Sequence, residues 1–357
     1  MSYVPFVRLC RGFVGRQVLG PIFARNMSNG QKQKVLVTRN VPQAAIEIIK
    51  SSQSCHLDYW NSEDPIPRDE LLKRVAGLDG LYCLLTEKID SELLDAAGPQ
   101  LKVVSTMSVG YDHISLPETT KRGIAVGHTP GVLTDATATL TVALLLVTQR
   151  RLIEAAGEVK NGGWGTWKPL WMCGPTLTAS TVGIVGFGRI GIAVAQRLAP
   201  FGVSRFLYCD VNKKPQSVEK LVTPNAEHVD MDTLLRESDF VSAHTALTLE
   251  TAGMFNKDVF SKMKRSAVFV NTSRGGVVNQ EDLYEALKSG QIWGAGLDVT
   301  VPEPLPTDHP LLSLNNCVVL PHIGSAEEST REAMATLAAR NLLAGLAGES
   351  LPAQAKL

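Results

Sequence analysis

Thr181-Val-Gly-Ile-Val-Gly186-Phe-Gly188-Arg-Ile-Gly191 is the stretch from which the fold can be read. An apolar run of strand type leads directly into G-x-G-x-x-G, and residues 190–198 read as the helix that this loop opens. A further strand ends at Asp210, 19 residues beyond Gly191. The glycine motif alone is a weak signal. Strand, glycine loop, helix and a later acid at this spacing together make the fingerprint of a dinucleotide-binding unit. Gly186 would make the tight turn, Gly188 would let a pyrophosphate approach the backbone, and Gly191 would let helix and strand pack closely. Arg189 and Ile190 begin the helix whose free N–H groups and positive dipole end would face the phosphates. Asp210 would accept hydrogen bonds from both ribose hydroxyls of NAD(H) and repel a 2′-phosphate. Lys213 and Lys214 could instead hold such a phosphate, so NADP(H) stays open.

Outward from the loop, strand-like runs recur at 182–185, 205–209, 240–243, 267–271, 295–298 and 318–320, with helices between most of them. Upstream, 34–38, 81–85 and 103–106 read as strands, and 44–50 and 91–97 as helices. Strands alternating with helices imply parallel sheets, with ligands beyond the carboxyl ends of the strands. Residues 134–160 read as one long helix, capped by Thr134 or Asp135 and ended by Asn161-Gly162-Gly163. The aromatic run 164–171 that follows reads as a loop, and 326–347 as a second long helix. A chain of 357 residues suits two domains, since domains usually run to about 100–200 residues. The expected fold is α/β, with two Rossmann-like or flavodoxin-like doubly wound domains. Residues 33–133 and 322–357 would form a substrate-binding domain, and 134–321 a Rossmann domain inserted into it.

The 35 basic and 35 acidic residues cancel, so nothing draws this chain generally toward nucleic acid or an anionic membrane, and neither partner is expected. No apolar run has the length of a membrane-spanning helix. Cysteines stand at 10, 55, 83, 173, 209 and 317, without a C-x-x-C pair or zinc-type spacing, and no metal site is expected. Cys83, Cys209 and Cys317 lie in or beside apolar runs and read as buried free thiols of a reducing compartment. Residues 1–46 contain no acid, and Arg8, Arg11, Arg16 and Arg25 are spaced among apolar residues. That is the composition of a mitochondrial transit segment. The other readings are a disordered tail, or translation from Met27. Residues 1–32 are therefore an N-terminal extension, and the location is cytoplasmic or mitochondrial.

Three segments follow strands of the second unit. They are Val270-Asn-Thr-Ser-Arg274-Gly-Gly, Gly296-Leu-Asp298-Val-Thr-Val-Pro-Glu303-Pro and Leu320-Pro-His322-Ile-Gly324-Ser325. Taken singly, Arg274 reads as a surface ion pair, Glu303 as a turn residue and His322 as a loop cap. Their joint position at strand ends of one nucleotide-binding fold is what sets them apart. The segments resemble the signatures of the D-isomer-specific 2-hydroxyacid dehydrogenases, from about residue 33 to the C-terminus. Within that family, Ser105-Thr-Met-Ser-Val-Gly110, the run from Asn161 to Trp171 and Glu303-Pro-Leu-Pro-Thr-Asp-His-Pro310 are most similar to the glyoxylate/hydroxypyruvate reductases.

The resemblance implies reduction of a small 2-keto acid with Arg274, Glu303 and His322 as the catalytic residues. That chemistry needs a carboxylate anchored, a carbonyl polarised and a forming alkoxide protonated. Arg274 offers a planar fork to the carboxylate and carbonyl oxygen. His322 gives the proton, and Glu303 pairs with the imidazole and favours its charged form. Val109 and Gly110 would give backbone N–H groups to the carboxylate, with Ser325 also at the substrate. Asp298 would meet the nicotinamide, with Thr272, Ala246 and Gly324 as further cofactor neighbours. In the resembled reductases a tryptophan of the aromatic loop reaches into the partner's site and limits the substrate to short chains. Carried over, this residue is Trp167, and the assembly a homodimer. Two departures stand out. NADPH-using relatives often lack an acid at the place of Asp210 and carry arginines just after it, and Ala246 replaces a common proline.

Rival readings remain within the family and outside it. Formate dehydrogenases place a glutamine where Glu303 stands. A phosphoglycerate enzyme calls for extra basic residues and usually a regulatory domain, for which the chain after the last helix leaves no room. A dinucleotide-sensing, corepressor-like binding protein would keep the same residues.

Overall fold

All strand pairs in the computed structural model, which describes residues 32–356, are parallel, and they build two sheets. The leader-like residues 1–31 lie outside the described part. The first sheet contains β1 (Gln33–Val37), β2 (Cys55–Tyr59), β3 (Gly80–Cys83), β4 (Val103–Thr106) and β5 (Ala125–Gly127), ordered β2-β1-β3-β4-β5. The second contains β6 (Thr181–Val185), β7 (Arg205–Cys209), β8 (Ala226–His228), β9 (Phe240–Ala243), β10 (Val268–Asn271), β11 (Gly294–Leu297) and β12 (Cys317–Val319). Its order is β12-β11-β10-β9-β6-β7-β8. Counted from β6, that is the Rossmann order with one more strand at the edge. The first sheet has the flavodoxin-like order. The second sheet therefore reverses direction between β6 and β9, and ligands of such sheets sit at that crevice.

Parallel sheets must be covered on both faces, so their inner strands read as unbroken apolar runs. β3, β4, β9, β10 and β11 are buried at every residue. The Glu328–Ala347 helix packs on β3, β4, β5 and the Gln43–Ser51 helix. The Thr134–Gln149 helix packs on the Arg189–Leu198 helix and on β10, β11 and β12. Ile190 is packed against the apolar clusters of both sheets.

Several expectations need correction. The long helix over 134–160 is two helices, Thr134–Gln149 and Leu152–Lys160, bent by 59°. Arg151 leaves the helical region with φ of 51°, and its guanidinium grips Glu154 with two bonds of 2.8 Å across the first turn of the second helix. The first of these helices starts after Leu133 without a side-chain cap, because Asp135 is drawn to Arg197 Nη2 at 2.6 Å. Strands β2, β5 and β8 were not expected. All three lie at sheet edges, where one neighbour is missing and short, polar runs suffice. Cys83 is buried, but Cys209 and Cys317 are only half-buried, and all three are free thiols. No single helix among the described residues is long and apolar enough to cross a membrane.

Candidate active site

The glycine loop sits at the reversal point, between the ends of β6 and β9. Gly186 has φ of 92°, and a Cβ there would lie 2.6 Å from the His244 carbonyl oxygen. A Cβ at Gly191 would lie 2.4 Å from the Gly186 oxygen. A Cβ at Gly188 would meet nothing within 4 Å. Turn and packing thus exclude side chains at the outer two glycines, while the middle one faces open space that a pyrophosphate can enter. Asp210 closes the loop from β7, its Oδ2 accepting from the Phe187 N–H at 2.9 Å. Burial raises its pKa, but the Lys214 ammonium and the Phe187 N–H outweigh this and hold the carboxyl below its ordinary range. Lys214 Nζ lies 2.9 Å from that carboxylate. Lys213 is exposed, as is Ala246.

The loops after β10, β11 and β12 bring the other polar residues together. His322 Nδ1 lies 2.8 Å from Glu303 Oε2, and Glu303 Oε1 accepts from the Thr300 N–H at 2.9 Å. A carboxylate can only accept, so Nδ1 carries a hydrogen and Nε2 is the ring nitrogen left for another partner. Burial pushes the Glu303 carboxyl up, but its bonds to His322 and the Thr300 N–H prevail and hold it low. His322 has φ of 55°, a left-handed backbone rare outside glycine and asparagine. The loop is pinned at this point. The His322 N–H donates to the Asp298 carbonyl at 2.8 Å, and the Ile323 and Gly324 N–H groups donate to the two Asp298 carboxylate oxygens at 2.8 Å each. Asp298 is buried and its carboxyl is raised, because desolvation outweighs those bonds and the nearby imidazole. Arg331 holds the end of this loop, donating from Nε to the Ser325 carbonyl at 3.1 Å.

Arg274 follows β10, where buried Asn271 donates to its carbonyl at 2.8 Å. Its Nε–H donates to Asp112 Oδ1 at 2.8 Å and its Nη1–H to the Ser273 carbonyl at 3.0 Å. A Cβ at Gly110 would stand 1.9 Å from Arg274 Nη2, so the guanidinium lies against the bare backbone of that glycine. The N–H groups of Val109 and Gly110 have no partner among the described residues, while Ser108 Oγ braces the Gly110 carbonyl at 2.6 Å. His128 Nδ1–H donates to the Val109 carbonyl at 2.9 Å. His113 is beside them, bonded to Thr106 Oγ1 at 3.0 Å, and burial pushes its pKa down to about 4. Thr272 is buried with its hydroxyl 2.7 Å from that of Thr141. Trp167 stands apart on the aromatic loop, 80% exposed. Asp112 and Arg331 were missed from the sequence. Asp112 stands only two residues after Gly110, but an acid beside a loop expected to hold a carboxylate has the wrong sign to suggest itself.

Residues 142–324 match the model of the D-isomer specific 2-hydroxyacid dehydrogenase NAD-binding domain. A glyoxylate reductase/hydroxypyruvate reductase of Mus musculus is 57% identical over 331 residues, 93% of this chain and 100% of the mouse protein. The chain belongs to the D-isomer-specific 2-hydroxyacid dehydrogenases. It is thus an NAD(P)-dependent oxidoreductase whose second sheet is the cofactor-binding unit. Among solved structures, a Thermus thermophilus protein superposes with a TM-score of 0.83 at 44% identity, covering 91% of this chain and 100% of that one. An NADPH-dependent glyoxylate/hydroxypyruvate reductase of Sinorhizobium meliloti, solved with NADP and malonate, gives 0.77 at 29% identity, covering 91% and 97%.

Proposed function

We propose that this dehydrogenase reduces glyoxylate to glycolate and hydroxypyruvate to D-glycerate. The observation that carries this reading is the meeting of Arg274, the unpartnered N–H groups at Val109 and Gly110, and the Glu303–His322 pair beside a dinucleotide loop. The free edge of Arg274 and the two N–H groups hold the keto acid's carboxylate. Arg274 also draws charge toward the carbonyl oxygen. His322 Nε2 donates its proton to that oxygen as the alkoxide forms, and Glu303 holds the ring by Nδ1 and favours its charged form. A nicotinamide cofactor, bound along Gly186–Gly191, supplies the hydride. Arg189 and Ile190 open the helix that would face its phosphates, Asp298 would meet its nicotinamide end, and Thr272, Ala246 and Gly324 would be further cofactor neighbours. Ser325 closes the substrate side.

The pairing of Lys214 with Asp210 supports NADH as the preferred donor, because the acid is held ionised and the lysine is engaged. With a substrate domain of 33–133 and 322–357 and a cofactor domain of 134–321, the chemistry would lie in the cleft between them, whose closure would exclude water. A homodimer completes the site. No residue of the Leu152–Lys160 helix is buried, and with the aromatic loop it exposes Ile153 at 62%, Trp167 at 80% and Leu170 at 88%. An apolar surface of this kind marks a protein interface, and Trp167 is the residue that would enter the partner's cleft.

The test is steady-state kinetics with NADH and NADPH on glyoxylate, hydroxypyruvate and pyruvate. The two shorter-chain or hydroxylated acids are expected to outperform pyruvate in kcat/KM, with NADH ahead of NADPH. No cofactor oxidation with hydroxypyruvate would favour the dinucleotide-sensing alternative.

A further inference from the structure

Asp112 places a negative charge directly beside the group that anchors an anion. By Coulomb's law alone it lowers affinity for a carboxylate substrate. Its geometry suggests what offsets that. A guanidinium has five N–H groups in one plane on a long flexible stem. Two of them are fixed, Nε–H on Asp112 Oδ1 at 2.8 Å and Nη1–H on the Ser273 carbonyl at 3.0 Å. Anchors on opposite sides of the group, at Nε and Nη1, set the plane and leave Nη2 against Gly110. Side-chain exposure is 21% for Arg274 and 30% for Asp112, so water reaches the pair and screens its charges in part, while the bond still fixes the orientation of the guanidinium. Arg274 outweighs the burial of Asp112 and holds its carboxyl below the ordinary range. Asp112 follows β4 of the first sheet and Arg274 follows β10 of the second. Among the described residues, this is the one salt bridge joining 33–133 to 134–321.

We propose that Asp112 is the positioning residue of Arg274, a bond across the cleft that aims the carboxylate anchor at the Val109–Gly110 loop. This rests on the reading of Arg274 as the substrate's carboxylate ligand. The second sheet supplies the anchor and the first supplies its orientation, so the anchor is aligned only where the two loops meet. The bond, not the charge, is what matters. An asparagine keeps the accepting oxygen and removes the repulsion, whereas an alanine loses both.

The full-length enzyme is compared with Asp112→Ala, Asp112→Asn and Arg274→Ala. KM and kcat for hydroxypyruvate, inhibition by oxamate, NADH affinity by fluorescence and the melting temperature are measured. Asp112→Ala is expected to raise KM and weaken oxamate together by about 10- to 100-fold, with a smaller change in kcat and unaltered NADH affinity. Asp112→Asn is expected to recover most of that loss. Wild-type KM and oxamate inhibition in Asp112→Ala would overturn the proposal. So would an Asp112→Asn no better than the alanine, or NADH affinity falling as far as oxamate affinity. Arg274→Ala separates the two levels. If it keeps wild-type KM, the carboxylate reading of Arg274 fails and Asp112 with it. If it is impaired while Asp112→Ala is normal, only the positioning role fails.

Discussion

His322 is held in a left-handed backbone that costs an ordinary residue about 1–2 kcal/mol. The hydrogen bonds from its loop to Asp298 offset that cost and leave the imidazole facing Glu303. The Glu303 carboxyl is depressed, so it is ionised from the ordinary carboxylate range upward and protonated only below it. An ionised Glu303 accepts from His322 Nδ1 at 2.8 Å and fixes the ring with Nε2 free. Glu303→Gln replaces that carboxylate with a neutral amide that can also present its NH2 side to the ring. The kcat for hydroxypyruvate reduction is therefore expected to fall by about tenfold or more while NADH affinity is kept. An unchanged kcat would contradict this. Arg274, Glu303 and His322 stood out together, after three strands of one nucleotide-binding unit and in segments that resemble the family's signatures, whereas each singly reads as an ordinary surface residue. Asp112 did not stand out, because its meaning depends on a partner 162 positions away.

The strand–loop–helix element at 181–198 shows how three glycines in one motif do different work. Gly191→Ala would force a Cβ within 2.4 Å of a backbone oxygen, which no rotamer relieves. It is expected to lower the melting temperature and weaken NADH by about tenfold or more. Gly188→Ala meets no neighbour within 4 Å, so it should melt as wild type yet still lose NADH affinity. Wild-type NADH binding by Gly188→Ala would show that the pyrophosphate does not lie on that glycine. Elements with buried inner strands were the legible ones, because burial on both faces writes a continuous apolar run. Edge strand β8 is Ala-Glu-His, three residues with an exposed centre, and carries no such signal. The break at Arg151 was equally hidden, since the residues around it all suit a helix and no glycine or proline marks the bend.

At the scale of the whole molecule, two parallel sheets bring loops together that no local pattern connects. The doubly wound character of the second unit was readable from its glycine loop, whereas its strand order and the approach of Asp112 to Arg274 depend on how the strands and the two sheets meet. The exposed Leu152–Lys160 helix and aromatic loop carry the expectation of assembly. Sedimentation at micromolar concentration should give about twice the chain mass of 38.5 kDa, and Trp167→Ala should raise activity on bulkier keto acids relative to glyoxylate. A monomer at that concentration would separate Trp167 from any neighbouring site. The central claim is that this cleft delivers a proton from His322 to a keto acid held by Arg274. The most direct measurement is kcat for NADH-dependent hydroxypyruvate reduction by His322→Ala across pH, beside the unaltered enzyme. A loss of roughly 10²–10⁴-fold with NADH affinity retained is expected, and near-normal turnover at every pH would contradict the claim.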